Sequence, residues 1–317
     1  MEAAVVREPG RLEVGPADDP RPRDGEVVVE LRAAALNRRD IGVLAGRYGD
    51  FPRPFVPGSD GAGVRRDTGD EVVILPSLEW GDGEEHPGAG FRILGGADDG
   101  TWAELIAIPE ANVFPKPRRL SWHEAAALPL AGLTAYRALF ARGRLAAGET
   151  VLVLGVGGGV ATFAVQLAVQ AGARVIVTSS GGEKIARAVE LGAERGVLYT
   201  EPGWPEEVGE VDLVLDSVGS TWQESLRCLR GGGRLVVFGA TGGADVRLDA
   251  RAFYFGQQSI LGTTMGSPRD FAALLRMVDD GAWHPVVDSV RPLAEVEAAL
   301  ARLEAQEHQG KLVLETA

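Results

Sequence analysis

The run Val151-Leu-Val-Leu-Gly155-Val-Gly157-Gly158-Gly159-Val160-Ala161 constrains this chain more than any other segment. An apolar strand that turns through glycines directly into a helix points backbone N–H groups and the positive end of a helix dipole at an anion, with no side chain to hold the anion away. Such a turn is weak evidence alone, but here it opens a long alternation. Apolar runs at 151–154, 174–178, 196–199, 211–216, 234–238 and 259–263 predict strands, and the patterns at 160–171, 183–191 and 221–229 predict helices between them. Continuous apolar strands alternating with helices predict an α/β, doubly wound domain with a parallel six-stranded sheet, built from two mononucleotide-binding halves. Ala161 stands where a third glycine often does, and alanine still permits close helix–strand packing.

The preceding hundred residues read differently. Short β-branched or alternating runs at 3–6, 26–36, 71–75 and 102–108, punctuated by Gly, Pro and Asp, predict a barrel-like all-β unit with one short helix at 38–45. Residues 77–100 are polar and glycine-rich and are expected to form a long surface loop. Ser121 with Glu124 has capping-box spacing at the start of a helix. Beyond Thr264, a helix at 268–280, a strand at 286–290, a helix at 293–304 and a strand at 311–315 are too little for a third domain and are expected to return to the first. A length of 317 residues suits two domains.

A net charge of −13 argues against nucleic acid or an anionic membrane as partner. No run of about 18 apolar residues free of charge is present to span a bilayer. The single cysteine, Cys228, allows no intramolecular disulfide and no cysteine-rich zinc site, and the N-terminus lacks a signal-peptide pattern. A cytoplasmic protein is expected.

The second strand of the alternation ends Val177-Thr178-Ser179-Ser180-Gly181-Gly182-Glu183-Lys184. A carboxylate at this strand end would bind a ribose 2′-hydroxyl and repel a 2′-phosphate, whereas hydroxyls and an ammonium would bind the phosphate. Ser179, Ser180 and Lys184 therefore point to NADP(H) over NAD(H). The competing reading is that Ser179 caps the next helix and Lys184 is solvated.

Several motifs together resemble the medium-chain dehydrogenase/reductase superfamily, and within it the zinc-free quinone oxidoreductase branch that includes ζ-crystallin. They are Ala34-Ala-Leu-Asn37-Arg-Arg-Asp40, Gly46-Arg47-Tyr48, Val56-Pro-Gly58-Ser59-Asp60-Gly-Ala-Gly63, Ala126-Ala-Leu-Pro129-Leu-Ala-Gly-Leu-Thr134-Ala135, the glycine turn, and Gly310-Lys311-Leu-Val-Leu314. The resemblance implies a GroES-like catalytic domain from residues 1–121 and 265–317, and an NAD(P)-binding Rossmann domain from 122–264. It implies hydride transfer from a nicotinamide held in the cleft between them, and a homodimer paired through the edge strand 259–263. Zinc-dependent members carry Cys where Asn37 stands and Gly-His-Glu where Gly58-Ser59-Asp60 stands, and their structural-zinc loop carries four cysteines that 77–100 lacks. Asparagine and serine are poor zinc ligands, so a zinc-free enzyme is expected.

What the resemblance implies extends to individual residues. Asn37 and Tyr48 line the nicotinamide cleft, Tyr48 as hydrogen-bond donor and Asn37 as an orienting group. Alternatively Tyr48 is a packing aromatic and Asn37 an N-cap. Cofactor contacts carry over to Thr134 at the start of a helix, to Gly155, Gly157, Gly158, Gly159 and Val160, and to Ser179, Ser180, Lys184, Tyr199 and Ser220. They also carry over to Phe238, Gly239, Ala240 and Thr241, and to Gly262, Thr263 and Thr264. Trp80, Phe91 and Tyr254 are either pocket walls or core. Three functions stay open at this point: an NADPH-dependent quinone or α,β-unsaturated carbonyl reductase, a zinc-free alcohol dehydrogenase or enoyl-type reductase, and a non-enzymatic NADPH-binding protein.

Overall fold

Three consecutive alanines, Ala33, Ala34 and Ala35, have no exposed surface, and their small side chains let other strands crowd the end of the strand that carries them. The computed structural model describes every residue except Pro9 and Ala317. It divides into two units, Met1–Leu133 with Gly266–Ala317, and Thr134–Met265. The first opens with the hairpin β1 (Glu2–Glu8) and β2 (Arg11–Pro16). Then follow β3 (Glu26–Ala35), α1 (Arg38–Leu44), β4 (Asp60–Arg65), β5 (Glu71–Ile74), β6 (Ser77–Leu78), β7 (Arg92–Ile93), β8 (Leu105–Pro109) and β9 (Val113–Pro115). β3 pairs antiparallel with β4 and with β8, β4 with β5, and β5 with β9. A Cβ at Gly63 would fall 2.1 Å from the Glu30 carbonyl oxygen, so β4 passes β3 too closely for a side chain there.

Two expectations for this unit change. Residues 77–100 are not a free surface loop: β6 pairs with β7, and Leu78, Trp80 and Leu94 are buried. Trp80 meets Phe91 edge-on at 5.2 Å, so these two rings close the loop's own small core. The segment from 122 to 133 groups with the barrel rather than the nucleotide unit, because α2 (Trp122–Ala127) lies on β3 and β4 with Ala125, Ala126 and Ala127 fully buried. Its start has the expected box: Ser121 N donates to the Glu124 carboxylate at 2.8 Å, and Glu124 N to Ser121 Oγ at 3.3 Å.

The helix α3 (Pro129–Tyr136) leads into the second unit. There β10 (Thr150–Val153), α4 (Gly159–Gln170), β11 (Arg174–Ser179), α5 (Gly182–Glu190), β12 (Arg195–Leu198), α6 (Trp204–Val208), β13 (Val211–Asp216), α7 (Trp222–Arg227), β14 (Leu229–Val237), α8 (Ala250–Phe255) and β15 (Ser259–Gly262) alternate, with the six expected strands and with α6 and α8 in addition to the three expected helices. The sheet order is β12-β11-β10-β13-β14-β15, and every pair is parallel. This is the doubly wound dinucleotide-binding topology, with its switch point between β10 and β13.

The tail returns to the barrel. Helix α9 (Pro268–Asp280) rests on it through Phe271, whose ring meets Phe114 edge-on at 5.1 Å. After β16 (Val287–Pro292) and α10 (Val296–Glu304), the last strand, β17 (Lys311–Glu315), inserts between β16 and β3. No described helix is long and apolar enough to cross a membrane.

Candidate active site

In the second unit, β10 leads through Leu154 into the glycine turn. Gly157 has φ +132°, a region that side-chain-bearing residues avoid. A Cβ at Gly155 or Gly158 would meet nothing within 4 Å, so the turn's outer face is open. Its inner face is fixed: Val156 N donates to the Thr178 carbonyl at 2.8 Å and Gly155 N to Thr178 Oγ1 at 3.2 Å. The N-cap of α4 is Gly158, which offers no side chain to the first-turn amides of Gly159, Val160 and Ala161. Backbone donors at a helix start with an open approach form an anion cradle.

Lys184 lies in the first turn of α5, and its methylenes cover Gly157, where a Cβ would meet Lys184 Cδ at 2.7 Å. The N-cap of that helix is Gly181 rather than Ser179. Ser179 is buried, and its Oγ accepts from Gly181 N at 3.3 Å, whereas Ser180 is exposed. Tyr199 follows β12 with its side chain largely open, and its N donates to the Ser179 carbonyl. The fold thus gathers Ser179, Ser180, Lys184 and Tyr199 beside the glycine turn.

At the next strand ends, Asp216 accepts from Val218 N at 2.6 Å and Gly219 N at 3.0 Å, and its other oxygen accepts from Thr221 and Ser225 hydroxyls. That carboxylate, which the sequence reading does not single out, shapes the loop bearing Ser220. Thr241 N and Oγ1 donate to the Ser217 carbonyl, so Phe238-Gly239-Ala240-Thr241 runs beside the same loop. Gly262, Thr263 and Thr264 leave β15, with Thr263 N donating to the Val237 carbonyl. Thr134 does not begin a helix as expected. Pro129 starts α3, since proline suits a first helical position, and Thr134 sits buried further along it.

In the first unit, strand register assembles a second polar cluster. Val313 stands opposite Ala35, and Asp60 also stands opposite Ala35. Two residues on, Asn37, Asp60 and Lys311 therefore meet at one end of three adjacent strands. Lys311 is 3% exposed, and its ammonium donates to the Leu36 carbonyl (2.7 Å), Asn37 Oδ1 (2.6 Å) and Asp60 Oδ2 (2.7 Å). All three ammonium protons are used. Asp60 also accepts from Asn37 Nδ2 at 2.9 Å and from Leu130 N at 2.7 Å. Ser59 Oγ donates to the Leu94 carbonyl at 2.8 Å and accepts from Arg39 Nη1 at 2.7 Å. Asn37 is the N-cap position of α1, yet its side chain serves this cluster, and Asp40 Oδ2 accepts from its backbone N at 2.7 Å. Tyr48, by contrast, is 57% exposed.

Burial pushes the Asp40 carboxyl up to about 6, against the opposing pull of Arg39 and of the Asn37 amide. Its Oδ1 has no hydrogen-bond partner, and Arg39 Nη1 stands 4.0 Å from it. With the folded-state value raised, Asp40 favours folding below the ordinary carboxylate range, and that contribution is lost as pH rises through about 6. Asp40→Asn should cancel this dependence. Urea unfolding of both proteins from pH 4 to pH 7 should show wild type giving up about 2–3 kcal/mol that the variant keeps. Parallel pH profiles would show Asp40 ionised at low pH in the fold.

Residues 23–118 match the family model for the alcohol dehydrogenase GroES-like domain, and residues 159–280 the model for zinc-binding dehydrogenase. The chain is 35% identical to a zinc-type alcohol dehydrogenase-like protein of Schizosaccharomyces pombe, over 92% of this chain and 90% of that one. Among solved structures, an NAD-dependent alcohol dehydrogenase superposes with TM-score 0.92 at 37% identity, covering all of both chains. The quinone oxidoreductase of Thermus thermophilus, solved also with NADPH, superposes with TM-score 0.83 at 32% identity, over 99% of this chain and 100% of that one.

The second family description implies zinc, and the residues present do not fit it. Asn37 Oδ1 faces an ammonium at 2.6 Å, and Ser59 Oγ is spent on Arg39 and Leu94. Among the described residues no three His, Cys, Asp or Glu side chains gather into a metal-holding group. The backbone anion cradle at the start of α4, in contrast, is open. With GroES-like and nucleotide-binding units and full-length likeness to its members, this chain belongs to the medium-chain dehydrogenase/reductase superfamily of oxidoreductases.

Proposed function

We propose that the protein is an NADPH-dependent, metal-independent reductase of a quinone or α,β-unsaturated carbonyl. The observation that carries this reading is the Lys311–Asp60–Asn37 cluster with the neighbouring Arg39–Ser59 pair, which puts cations against both ligand positions of the zinc-dependent relatives. Without a Lewis acid to acidify an alcohol, a conjugated carbonyl is the easier partner, because conjugation already spreads the charge that a hydride brings. When bound, NADPH supplies that hydride.

The chain's own residues supply the rest. Gly155, Gly157, Gly158, Gly159 and Val160 hold the pyrophosphate. Lys184 with Ser179, Ser180 and Tyr199 takes the adenosine 2′-phosphate. Thr134, Ser220, Phe238, Gly239, Ala240, Thr241, Gly262, Thr263 and Thr264 flank the remaining length of the cofactor. Tyr48 donates its hydroxyl proton in a hydrogen bond to the substrate oxygen as negative charge develops, and Asn37, held by Lys311 and Asp60, is the orienting group. The screen that tests this is NADPH oxidation against 1,4-quinones, enones and simple ketones, with alcohol oxidation run in reverse. Turnover of alcohols alone would favour the second reading, which the NAD-dependent alcohol dehydrogenase likeness supports. Cofactor binding without any turnover would mean a non-enzymatic protein.

Tyr48→Phe should lower kcat while leaving NADPH affinity and melting temperature near wild type. A fully engaged oxyanion donor contributes about 2.7–4 kcal/mol, and a quinone, whose charge spreads over a ring, should show less. Unchanged kcat would reduce Tyr48 to a pocket wall. Elemental analysis of protein purified without a metal-affinity tag should find far less than one zinc per chain. Stoichiometric zinc whose removal by chelator abolishes activity would refute the metal-independent reading.

The same proposal includes a homodimer through the outer edge of β15, which has no partner strand among the described residues. Light scattering should give twice the 33.4 kDa chain mass, and a proline within β15 should halve it.

A further inference from the structure

Tyr48 stands clear of most of the protein, yet its ring is gripped on two sides. After α1 the chain reverses through Ala45 and Gly46, and Arg47 N donates to the Gly42 carbonyl at 2.8 Å, which carries the following residue back over the helix. Gly42 leaves the seat for the ring: a Cβ there would lie 2.5 Å from Tyr48 Cε2 and 3.0 Å from Cδ2. On another side stands the Arg39 guanidinium, with Cζ 5.6 Å from the ring centroid, within reach of a cation–π contact. Arg39 is itself anchored, because its side chain is 10% exposed and Nη1 donates to Ser59 Oγ and to the Leu94 carbonyl. Its Nε has no hydrogen-bond partner. A buried guanidinium with one unused donor is costly to keep, so a packing role for Arg39 alone would be better filled by an apolar side chain.

We propose that Arg39 is a positioning residue for Tyr48: held by Ser59 and Leu94, its guanidinium clamps the tyrosine ring against Gly42 and so fixes where the hydroxyl stands. This deepens the reading of Tyr48 as proton donor and rests on it. A clamp matters because an exposed side chain otherwise samples several rotamers, and a donor displaced by about 1 Å can cost roughly a hundredfold in rate.

The clamp can be loosened from either side. Gly42→Ala pushes the ring out and leaves the Arg39 anchors untouched. Arg39→Met keeps most of the volume and removes the cation. Both should lower kcat about ten- to a hundredfold without changing KM for NADPH. Gly42→Ala should melt close to wild type, since the gain from the better helix former offsets the lost ring contact, and so it separates positioning from loss of fold even where Arg39→Met unfolds. In a Tyr48→Phe background, neither substitution should lower kcat further.

A second readout needs no turnover. The chain has four tyrosines, so 3-fluorotyrosine labelling gives four fluorine resonances, and Tyr48→Phe identifies one of them. That resonance should shift in both clamp variants. Should it stay in place in both, or should the kcat losses be the same with and without the Tyr48 hydroxyl, the proposal is overturned. Should Tyr48→Phe itself leave kcat unchanged, the donor reading fails, and the fluorine shift alone decides whether Arg39 positions the ring.

Discussion

Lys311→Met should cost about 3–5 kcal/mol of folding stability, the range for breaking a buried ion pair from one side. The methionine would keep the length of the stem and remove the charge. Asp60, with no exposed surface, would then hold a negative charge with only the Asn37 and Leu130 donors left, and Asn37 Oδ1 and the Leu36 carbonyl would each lose a partner. The size comes from that stranded carboxylate rather than from the net worth of the pair. The double variant Lys311→Met with Asp60→Leu should therefore recover much of the loss. Denaturant midpoints of the two single variants and the double variant test this directly. A double variant as unstable as the singles would mean that the ammonium matters through the carbonyl oxygens it binds, not through its charge partner.

The second large effect is on the cofactor. Lys184→Ala should weaken NADPH about ten- to a hundredfold, since a charge-assisted contact to a phosphate contributes about 1.5–3 kcal/mol. The alanine change also strips the methylenes that cover Gly157. Lys184→Met separates the two roles, because it keeps the cover and loses the charge. Titration of both variants with NADPH and NADH should show both losing NADPH affinity. Only the alanine variant should lose any affinity for NADH, and then slightly. Equal losses for both cofactors in the methionine variant would mean that the ammonium acts on the pyrophosphate, and the proposed preference for NADPH would fall.

The nucleotide unit is legible in the sequence because its inner strands β10, β11 and β13 are buried on both faces almost throughout. Continuous runs such as Val211–Asp216 mark such strands whatever the neighbouring sequence, and the glycine turn marks where they begin. The barrel is less legible for the opposite reason. β4 reads Asp-Gly-Ala-Gly-Val-Arg, and its glycines, which the close passage of β3 demands, are the residues that erase a strand signal. Short β6 and β7 hide in a glycine-rich stretch because two residues carry no periodicity. Thr134 reads as a helix start when it lies inside one, since nothing local tells α2 from α3 apart from Pro129. The Asn37 cluster is half legible. Each of its residues lies in a motif of the family, but that Lys311 answers Asp60 depends on a register set far away in the chain. A lysine placed directly before the apolar run Leu312–Leu314 is the one available signal, strengthened by there being only three lysines in all.

The insertion of β17 between β16 and β3 bears on how such a chain is made. The pair between Lys311 and Asp60 spans 251 residues, so the strand that completes the barrel sheet is synthesised long after β3. The nucleotide unit lies wholly inside that span and needs nothing from either end of the chain for its own sheet. On the ribosome it can close while the barrel half still waits with β3 lacking one neighbour. During that wait the end of β3 is an open edge, and its row of small alanines gives a foreign strand little side chain to grip. The late strand carries the lysine, so the buried Asp60 carboxylate becomes neutralised only as the sheet closes around it.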